Sequence, residues 1–203
     1  MHQSMKIILL LVALTSLSRN AGAESPPADF LTEFNTDRIE LNTWAMVVLA
    51  GWAVGNIAVG TVGNFTSSGS SKYLHQGNAA WNVVNLAIAG FALYGLMGED
   101  AASLNAAETL EKAHDMEWLL WLNSGLDLAY IAAGGFLWER GLRKDGQRLV
   151  GYGRALIIQG GFLLLFDLTL VALNMRLNQD LVPQLLVSSS ELGTRVASLA
   201  WRW

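Results

Sequence analysis

The sequence contains no cysteine, which excludes disulfide bonds, iron–sulfur clusters, thiol catalysis and zinc sites built on cysteine. Charge is also scarce, because only 15% of the 203 residues are Asp, Glu, Lys or Arg, compared with roughly 25% in soluble domains. The formal net charge of −4 argues against nucleic acid as a partner. In contrast, 52% of the residues are hydrophobic. This composition predicts one compact membrane domain.

The N-terminal segment has the pattern of a secretory signal peptide. A start with one lysine, MHQSMK, precedes the short apolar run IILLLVAL, and the region closes on the A-x-A pattern of Ala21-Gly22-Ala23. We expect residues 1–23 to be removed by cleavage before Glu24. The alternative is an uncleaved first membrane helix, although the apolar run is short for a bilayer core of about 30 Å.

Four later stretches are long and apolar enough to cross a bilayer, which takes about 20 helical residues. They predict an all-α, integral membrane four-helix bundle over residues 41–175. Tryptophans at or near several of the ends resemble the aromatic belts of membrane interfaces. The predicted spans are Trp44–Val62, Ala79–Met97, Trp118–Trp138 and Ala155–Met175.

The charges in the loops predict the orientation of this bundle. The loop Glu139–Arg154 carries five basic residues, and the loop after the first span adds Lys72. The middle loop, Gly98–Glu117, holds six acidic residues and one lysine. By the positive-inside rule, the two basic loops are cytoplasmic. We therefore predict a multi-pass protein of a bacterial inner membrane with both termini in the periplasm, as a cleaved signal peptide requires.

Two short segments flank the predicted bundle. We interpret residues 24–40 as a periplasmic lead that is extended at PPADF, and residues 176–203 as a periplasmic tail. In the tail, Ser188 stands three residues before Glu191, which is typical of a helix start. The tail is therefore either a short C-terminal interfacial helix on the outer surface or a frayed terminus.

Each predicted span carries polar side chains where hydrocarbon offers no hydrogen-bond partner. The amides among them have two interpretations. They form hydrogen bonds between helices, worth about 0.6 to 2 kcal/mol each, with Gly51 and Gly55 permitting close approach. Alternatively, they line a site for a small ligand or a path for an ion. The residues of this candidate ligand-binding or proton site are Asn56, Asn82, Asn85, Asn123, Asp127, Tyr130, Gln159 and Asp167.

The two aspartates are harder to explain by helix packing alone. A carboxylate at the middle of a bilayer costs at least about 2.5 to 3.5 kcal/mol, so Asp127 and Asp167 are functional candidates. No basic residue lies at their depth in the predicted bundle. We expect at least one of the two to be protonated at neutral pH because of desolvation. At the cytoplasmic end, we predict that Lys72, His75 and Arg154 ring the mouth of the polar column.

The sequence offers no motif for catalysis or for a cofactor. His75 and His114 fall on opposite sides of the predicted membrane, which disfavours a bis-histidine haem or a histidine metal pair. The run SGLD at residues 124–127 has only part of the pattern of intramembrane aspartyl proteases, and no Ser-His-Asp arrangement is visible. We predict no catalytic residue, no metal site and no cofactor.

Three runs carry a resemblance: KYLHQGNAAWNVVNLAIAG, NSGLDLAYIAAGGFLWERG and RLVGYGRALIIQGGFLLLFD. Together they resemble an uncharacterised family of small bacterial membrane proteins, known as a domain of unknown function. The resemblance covers roughly Leu41 to Asn174 and implies a bacterial four-span protein. It brings no activity, substrate or catalytic residue.

These observations leave several functions open. We favour a non-enzymatic membrane protein whose polar core binds a small ligand or lipid, or an accessory subunit of a membrane complex. Its expected partners are membrane lipids and either another membrane protein or a second copy of the chain. The alternative is a small proton-coupled transporter or channel that uses Asp127 and Asp167. An intramembrane enzyme that uses the same aspartates as acid and base ranks last.

Overall fold

The structure is a computed structural model that describes residues 28–185, and this part of the chain is all-helical. Four long helices follow one another, with a short 3-10 turn at Ala101–Ser103 between the second and the third. They are α1 (Ala28–Thr66), α2 (Gly69–Met97), α3 (Ala106–Arg143) and α4 (Gln147–Asn178). One further helical turn follows at residues 181–185. The predicted signal peptide and the predicted helix start at Ser188 lie outside the described residues.

The helix ends follow from local sequence. Asn105 caps α3 by accepting hydrogen bonds from the backbone of Ala107 and Glu108, while the Glu108 side chain accepts from the backbone of Asn105. This reciprocal arrangement satisfies N–H groups that the first turn of a helix leaves unpaired. Gly69 begins α2 with a φ of 60°, a conformation that glycine adopts without steric penalty.

The first helix begins earlier than the sequence predicts. The prediction of an extended lead at PPADF is wrong for its last three residues, because α1 already includes Ala28, Asp29 and Phe30. Leu31 and Phe34, one turn apart, are buried against Ala113 of α3 and Leu181 beyond α4. The burial of this apolar stripe stabilises a helical rather than an extended conformation.

Three of the four helices, α1, α2 and α4, are long and apolar enough to cross a membrane. The predicted third span lies within the 38 residues of α3. Its amide Asn123, its carboxyl Asp127 and its glycines dilute the hydropathy of α3. The outer surface is strongly apolar, with Phe91, Met97 and Leu165 at least two-thirds exposed. Many of the buried side chains are polar instead, the reverse of the usual arrangement in water.

The helices pack in the spatial order α1, α2, α4, α3. The main contacts are between α1 and α2, between α3 and α4, and between α2 and α4. Helices α2 and α3 follow each other in the chain but make little direct contact. This arrangement leaves a space between α2 and α3.

Glycines set the close approaches of the packed pairs. A Cβ atom at Gly134 of α3 would lie 2.7 Å from the carbonyl oxygen of Gly153 on α4. One at Gly60 of α1 would lie 2.8 Å from the Cβ of Ala79 on α2. Real Cβ atoms do not approach their neighbours so closely, so these positions exclude larger residues. Small residues at such contacts are typical of membrane helix packing.

The sequence indicated a different glycine pair for close packing, Gly51 and Gly55. The prediction that Gly51 and Gly55 permit close approach is wrong for contacts within the chain. A Cβ atom at either position would meet no atom within 4 Å, and both glycines are exposed. Among the described residues, these two glycines therefore make no close contact with another helix.

Candidate functional site

The described part of the chain encloses a cavity of about 680 Å³ in the space between α2 and α3. All four helices contribute to its wall. Leucine, valine, isoleucine, methionine and phenylalanine form most of the wall, with a few polar side chains among them. Ligand pockets in proteins have this character and volumes of about 300 to 1,000 Å³.

Five of the eight predicted site residues line this cavity: Asn85 of α2, Asn123, Asp127 and Tyr130 of α3, and Asp167 of α4. Asp127 is 3% exposed and Asp167 is 6% exposed. Their carboxyl groups lie within hydrogen-bonding reach of each other. The close packing of α3 on α4 permits this, since a Cβ at Gly160 would lie 3.0 Å from the carbonyl oxygen of Asp127.

Three residues of the cavity wall carry a buried polar atom that has no hydrogen-bond partner. They are the Oδ1 of Asn42, the indole nitrogen of Trp81 and the Oδ2 of Asp127. A buried polar atom left unpaired costs about 1 to 3 kcal/mol, and such atoms are rare. A proton held between the two carboxyls would satisfy Asp127, but Trp81 and Asn42 would still need an acceptor and a donor. The wall is therefore complementary to a molecule with polar groups of its own.

An aromatic pair stands beside the carboxyls. The rings of Trp81 and Tyr130 meet edge to face, with their centroids 4.7 Å apart. Tyr130 lies three residues after Asp127, and this spacing places both on one side of α3. The end of the cavity near Asp127 is thus lined by carboxyl, amide and aromatic groups together.

The other three predicted site residues belong to a polar network that Asn85 of the cavity wall joins by donating to Oδ1 of Asn82 at 3.4 Å. The amide of Asn78 donates to Oδ1 of Asn56 at 2.5 Å, and the amide of Gln159 donates to Oδ1 of Asn78. The indole of Trp52 donates to Oε1 of Gln159 at 3.2 Å. Asn82 donates to the carbonyl oxygen of Asn78 at 2.8 Å. This network joins α1, α2 and α4 through Asn56, Asn78 and Gln159, whereas the hydrogen bonds of Asn82 lie within α2. Asn56, Asn82 and Gln159 do not line the cavity.

The predicted cytoplasmic mouth is not part of the cavity either. Lys72, His75 and Arg154 are absent from its wall, and no hydrogen bond or ion pair joins them within residues 28–185. The ring of His75 packs against Gly63 of α1. His75 therefore packs in the interface between α1 and α2 and is partly exposed.

The end of the cavity opposite Asp127 carries a charged pair, Glu99 and Lys112. Glu99 accepts a hydrogen bond from Arg38, which is 3% exposed, and Lys112 Nζ lies 3.3 Å from Glu99 Oε2. Burial of the Glu99 carboxyl opposes its ionisation, but Arg38 and Lys112 outweigh burial and hold the pKa of Glu99 below its ordinary value. This cluster ties α1, the α2–α3 connection and α3 together.

Sequence reasoning missed this end because Arg38 was assigned to the lead. A usable pattern existed, since Asn35, Arg38 and Asn42 recur at helical spacing and form one polar face. All three are buried, and Asn35 donates a hydrogen bond of 2.8 Å to Thr109 Oγ1 on α3. The polar face of the first helix therefore marks a contact with α3.

The site offers hydrogen bonds and, through its two carboxyls, exchangeable protons. In the described part of the chain, no group of three or more His, Cys, Asp or Glu residues is placed to hold a metal ion. The wall is mostly apolar, with the Glu99–Lys112 pair at one end and the carboxyls of Asp127 and Asp167 at the other. This arrangement suits an amphipathic molecule.

The comparisons with known proteins give a family and no further relatives. No curated protein matches the chain, and no solved structure does. A family of unknown function, DUF6992, matches residues 48–168. That range includes Trp81, Asn85, Asn123, Asp127 and Asp167 of the cavity wall. Because the match covers more than half of the chain, the protein belongs to the family of unknown function DUF6992.

Proposed function

We propose that this protein is an integral membrane protein that binds an amphipathic, membrane-soluble molecule in the cavity between α2 and α3 and catalyses no reaction on it. The observation that carries the proposal is the set of three buried, unpartnered polar atoms on the cavity wall, at Asn42, Trp81 and Asp127. Empty cavities that persist in proteins are apolar, whereas a cavity with unsatisfied polar atoms calls for water or a ligand.

The membrane location is supported by the apolar outer surface and by the length and hydropathy of α1, α2 and α4. Helix α3 packs along α4 and, with 38 residues, is about 57 Å long. If α4 crosses the membrane, α3 crosses beside it, which gives the four-span protein. The basic loop between α3 and α4 favours the bacterial inner membrane with both termini in the periplasm.

The structure supports entry of a ligand into the cavity from the side, between α2 and α3. Val84 and Ile88 of α2, with Leu119 and Leu126 of α3, line the cavity and are also between about two-fifths and three-fifths exposed. These side chains border the gap where α2 and α3 make little contact. A molecule dissolved in the bilayer reaches the cavity through this gap without crossing water.

The test is native mass spectrometry of the full chain after gentle extraction from its own membranes. We expect a bound amphiphile of defined mass, lost in Asp127→Asn and in the cavity-filling variant Ile88→Trp. It should be retained in Glu139→Gln, which removes an exposed carboxylate far from the cavity wall. A bare chain in the wild type would refute the proposal. A stoichiometric protein partner without an amphiphile would favour an accessory subunit instead.

One observation favours a second function, a small proton-coupled carrier. Asp127 and Asp167 are buried, face each other within hydrogen-bonding reach and line a cavity large enough for solute. A pair of this kind can exchange a proton as its surroundings change. In liposomes, this function predicts a pH-driven flux that Asp127→Asn abolishes and Glu139→Gln does not. Equal flux with and without the protein would exclude it.

A further inference from the structure

The end of the cavity near Asp127 carries acidic side chains without a basic side chain to pair with them. Asp127 and Asp167 lie there, and of the described residues on the cavity wall Lys112 is the one base. Lys112 is paired with Glu99 at the other end. Fifteen residues of α3 separate Lys112 from Asp127, which is about 22 Å along the helix. Among residues 28–185, the paired carboxyls therefore have no basic side chain beside them on the cavity wall.

The atoms left unpaired at this end define the missing partner. Asp127 Oδ2 has no hydrogen-bond partner among the described residues when the carboxyls share no proton, and Asp127 is 3% exposed. The indole N–H of Trp81 donates and has no acceptor. A ligand head that satisfies both atoms carries at least one donor and one acceptor. A protonated amine next to a hydroxyl group supplies both.

The aromatic rings favour a cationic head over a neutral one. The edge-to-face pair of Trp81 and Tyr130 lines the same cavity as the two carboxyls. Indole and phenol faces attract ammonium groups through their quadrupoles, most strongly where water is excluded. An anionic head, by contrast, would meet two carboxyl groups with no base nearby, and this repels fatty acids and phosphates.

The shape of the cavity indicates the rest of the ligand. Along α3, Lys112 and Asp127 are about 22 Å apart, and the wall between them is mostly apolar, with Met116, Leu119 and Leu120 before Asn123. Such a long apolar space fits a single hydrocarbon chain. The gap between α2 and α3 opens this length to the side.

We propose that the cavity holds a single-chain amphiphile whose head is a protonated amine with an adjacent hydroxyl, bound between Asp127, Asp167 and Trp81. This inference rests on the proposed function, because it assigns the head group of the amphiphile that the cavity binds. The amine donates to the carboxyls, and the hydroxyl oxygen accepts from the indole of Trp81. The chain lies along the apolar wall toward Glu99 and Lys112.

The experiment compares four probes with one chain length: hexadecylamine, 2-aminohexadecan-1-ol, hexadecan-1-ol and hexadecanoate. Each is titrated against the delipidated full-length protein in detergent micelles, and the bound fraction is read by native mass spectrometry. We expect both amines to bind at least about tenfold more tightly than the alcohol, because hydrogen bonds to charged groups are roughly twice as strong as neutral ones. Hexadecanoate should bind most weakly.

Variants then assign the contacts. Asp127→Asn combined with Asp167→Asn should remove the preference for amines, and Glu139→Gln should leave it unchanged. Trp81→Phe keeps an aromatic ring and loses the N–H, so it should remove only the advantage of the amino alcohol over the amine. Leu126→Trp fills the cavity, keeps both aspartates and should weaken the binding of all four probes.

The outcomes separate the two proposals. Equal binding of amine, alcohol and acid, with loss in Leu126→Trp, would overturn the amine head and leave the binding function standing. Tighter binding of hexadecanoate than of the amines would also overturn the amine head group. An unchanged amino alcohol advantage in Trp81→Phe would overturn the assignment of the hydroxyl. Failure of every probe and every native amphiphile to bind the wild type would overturn both proposals.

Discussion

Two neighbouring glycines of α3 allow the packing of the bundle to be measured. A Cβ atom at Gly134 would lie 2.7 Å from the carbonyl oxygen of Gly153 and 3.0 Å from the backbone nitrogen of Ile157. A Cβ atom at Gly135 would meet nothing within 4 Å. Both sites are in the interior of one helix, where alanine is favoured over glycine by about 0.5 to 1 kcal/mol.

The two sites share this preference for alanine. The difference in the free energy of unfolding between Gly134→Ala and Gly135→Ala therefore measures the cost of the close contact at Gly134. Backbone atoms cannot move aside as a flexible side chain can, so α3 and α4 must separate at Gly134. Overpacking of this kind costs about 1 to 3 kcal/mol. We expect Gly135→Ala to be neutral or slightly stabilising and Gly134→Ala to be less stable than it by about 1 to 3 kcal/mol.

The assay is unfolding in mild detergent by titration with sodium dodecyl sulfate, followed by far-ultraviolet circular dichroism. Gly160 and Gly161 of α4 repeat the comparison in the facing helix. A Cβ at Gly160 would lie 2.9 Å from a side-chain carbon of Ile131, and one at Gly161 would meet nothing within 4 Å. Free energies of unfolding that agree within about 0.5 kcal/mol in both pairs would refute the close contact of α3 with α4.

Three further predictions follow from the polar clusters. Glu99→Gln removes a partner of the buried Arg38 and should lower the free energy of unfolding by about 1 to 3 kcal/mol. The control, Glu139→Gln, changes an exposed ion pair and should alter the free energy of unfolding by less than about 0.5 kcal/mol. Equal effects of the two substitutions would contradict a stabilising role for the Arg38, Glu99 and Lys112 cluster. Because the pKa of Glu99 is lowered in the folded state, its stabilising contribution is complete above the ordinary glutamate range near about 4.3 and is lost as the pH falls through the lowered pKa. The thermal midpoint of the wild type should therefore fall more steeply below pH ~4 than that of Glu99→Gln, and parallel curves would contradict this. Gln159→Leu leaves Trp52 of α1 and Asn78 of α2 without their hydrogen-bond partner and should lower the free energy of unfolding by about 1 to 2 kcal/mol. The control, Thr169→Val, removes an exposed hydrogen bond within α4 and should change the free energy of unfolding by less than about 0.5 kcal/mol.

The sequence was informative where a property belongs to one helix. Length and hydropathy predicted the helices that contain the four predicted spans, and helical spacing placed Asp127 and Tyr130 on one side of α3. The cost of burying a carboxyl group singled out Asp127 and Asp167, and both line the cavity. The signal peptide and the interfacial tail stay predictions, since they lie outside residues 28–185.

Properties that depend on two helices could not be predicted in this way. Gly51 and Gly55 have the spacing of a packing pair, yet the close contacts are made at other glycines, among them Gly60 and Gly134. Asn56 and Gln159 lie in the polar network and not on the wall of the large cavity, and sequence cannot separate these positions because a buried amide has the same pattern in both. Which of the two occurs depends on the neighbouring helix, and that is decided by packing.

The order of packing also has a consequence for how the protein is assembled. Helices α1 and α2 form one hairpin and α3 and α4 form another, and α2 with α4 makes the main contact between them. The cavity therefore lies at the seam of two hairpins and does not exist until the second has docked on the first. Until then, Asn78 has its partner Asn56 within the first hairpin but lacks Gln159 from the second. An occupant of the cavity would stabilise the docked pair and leave each hairpin alone unaffected, so occupancy and assembly would be thermodynamically linked.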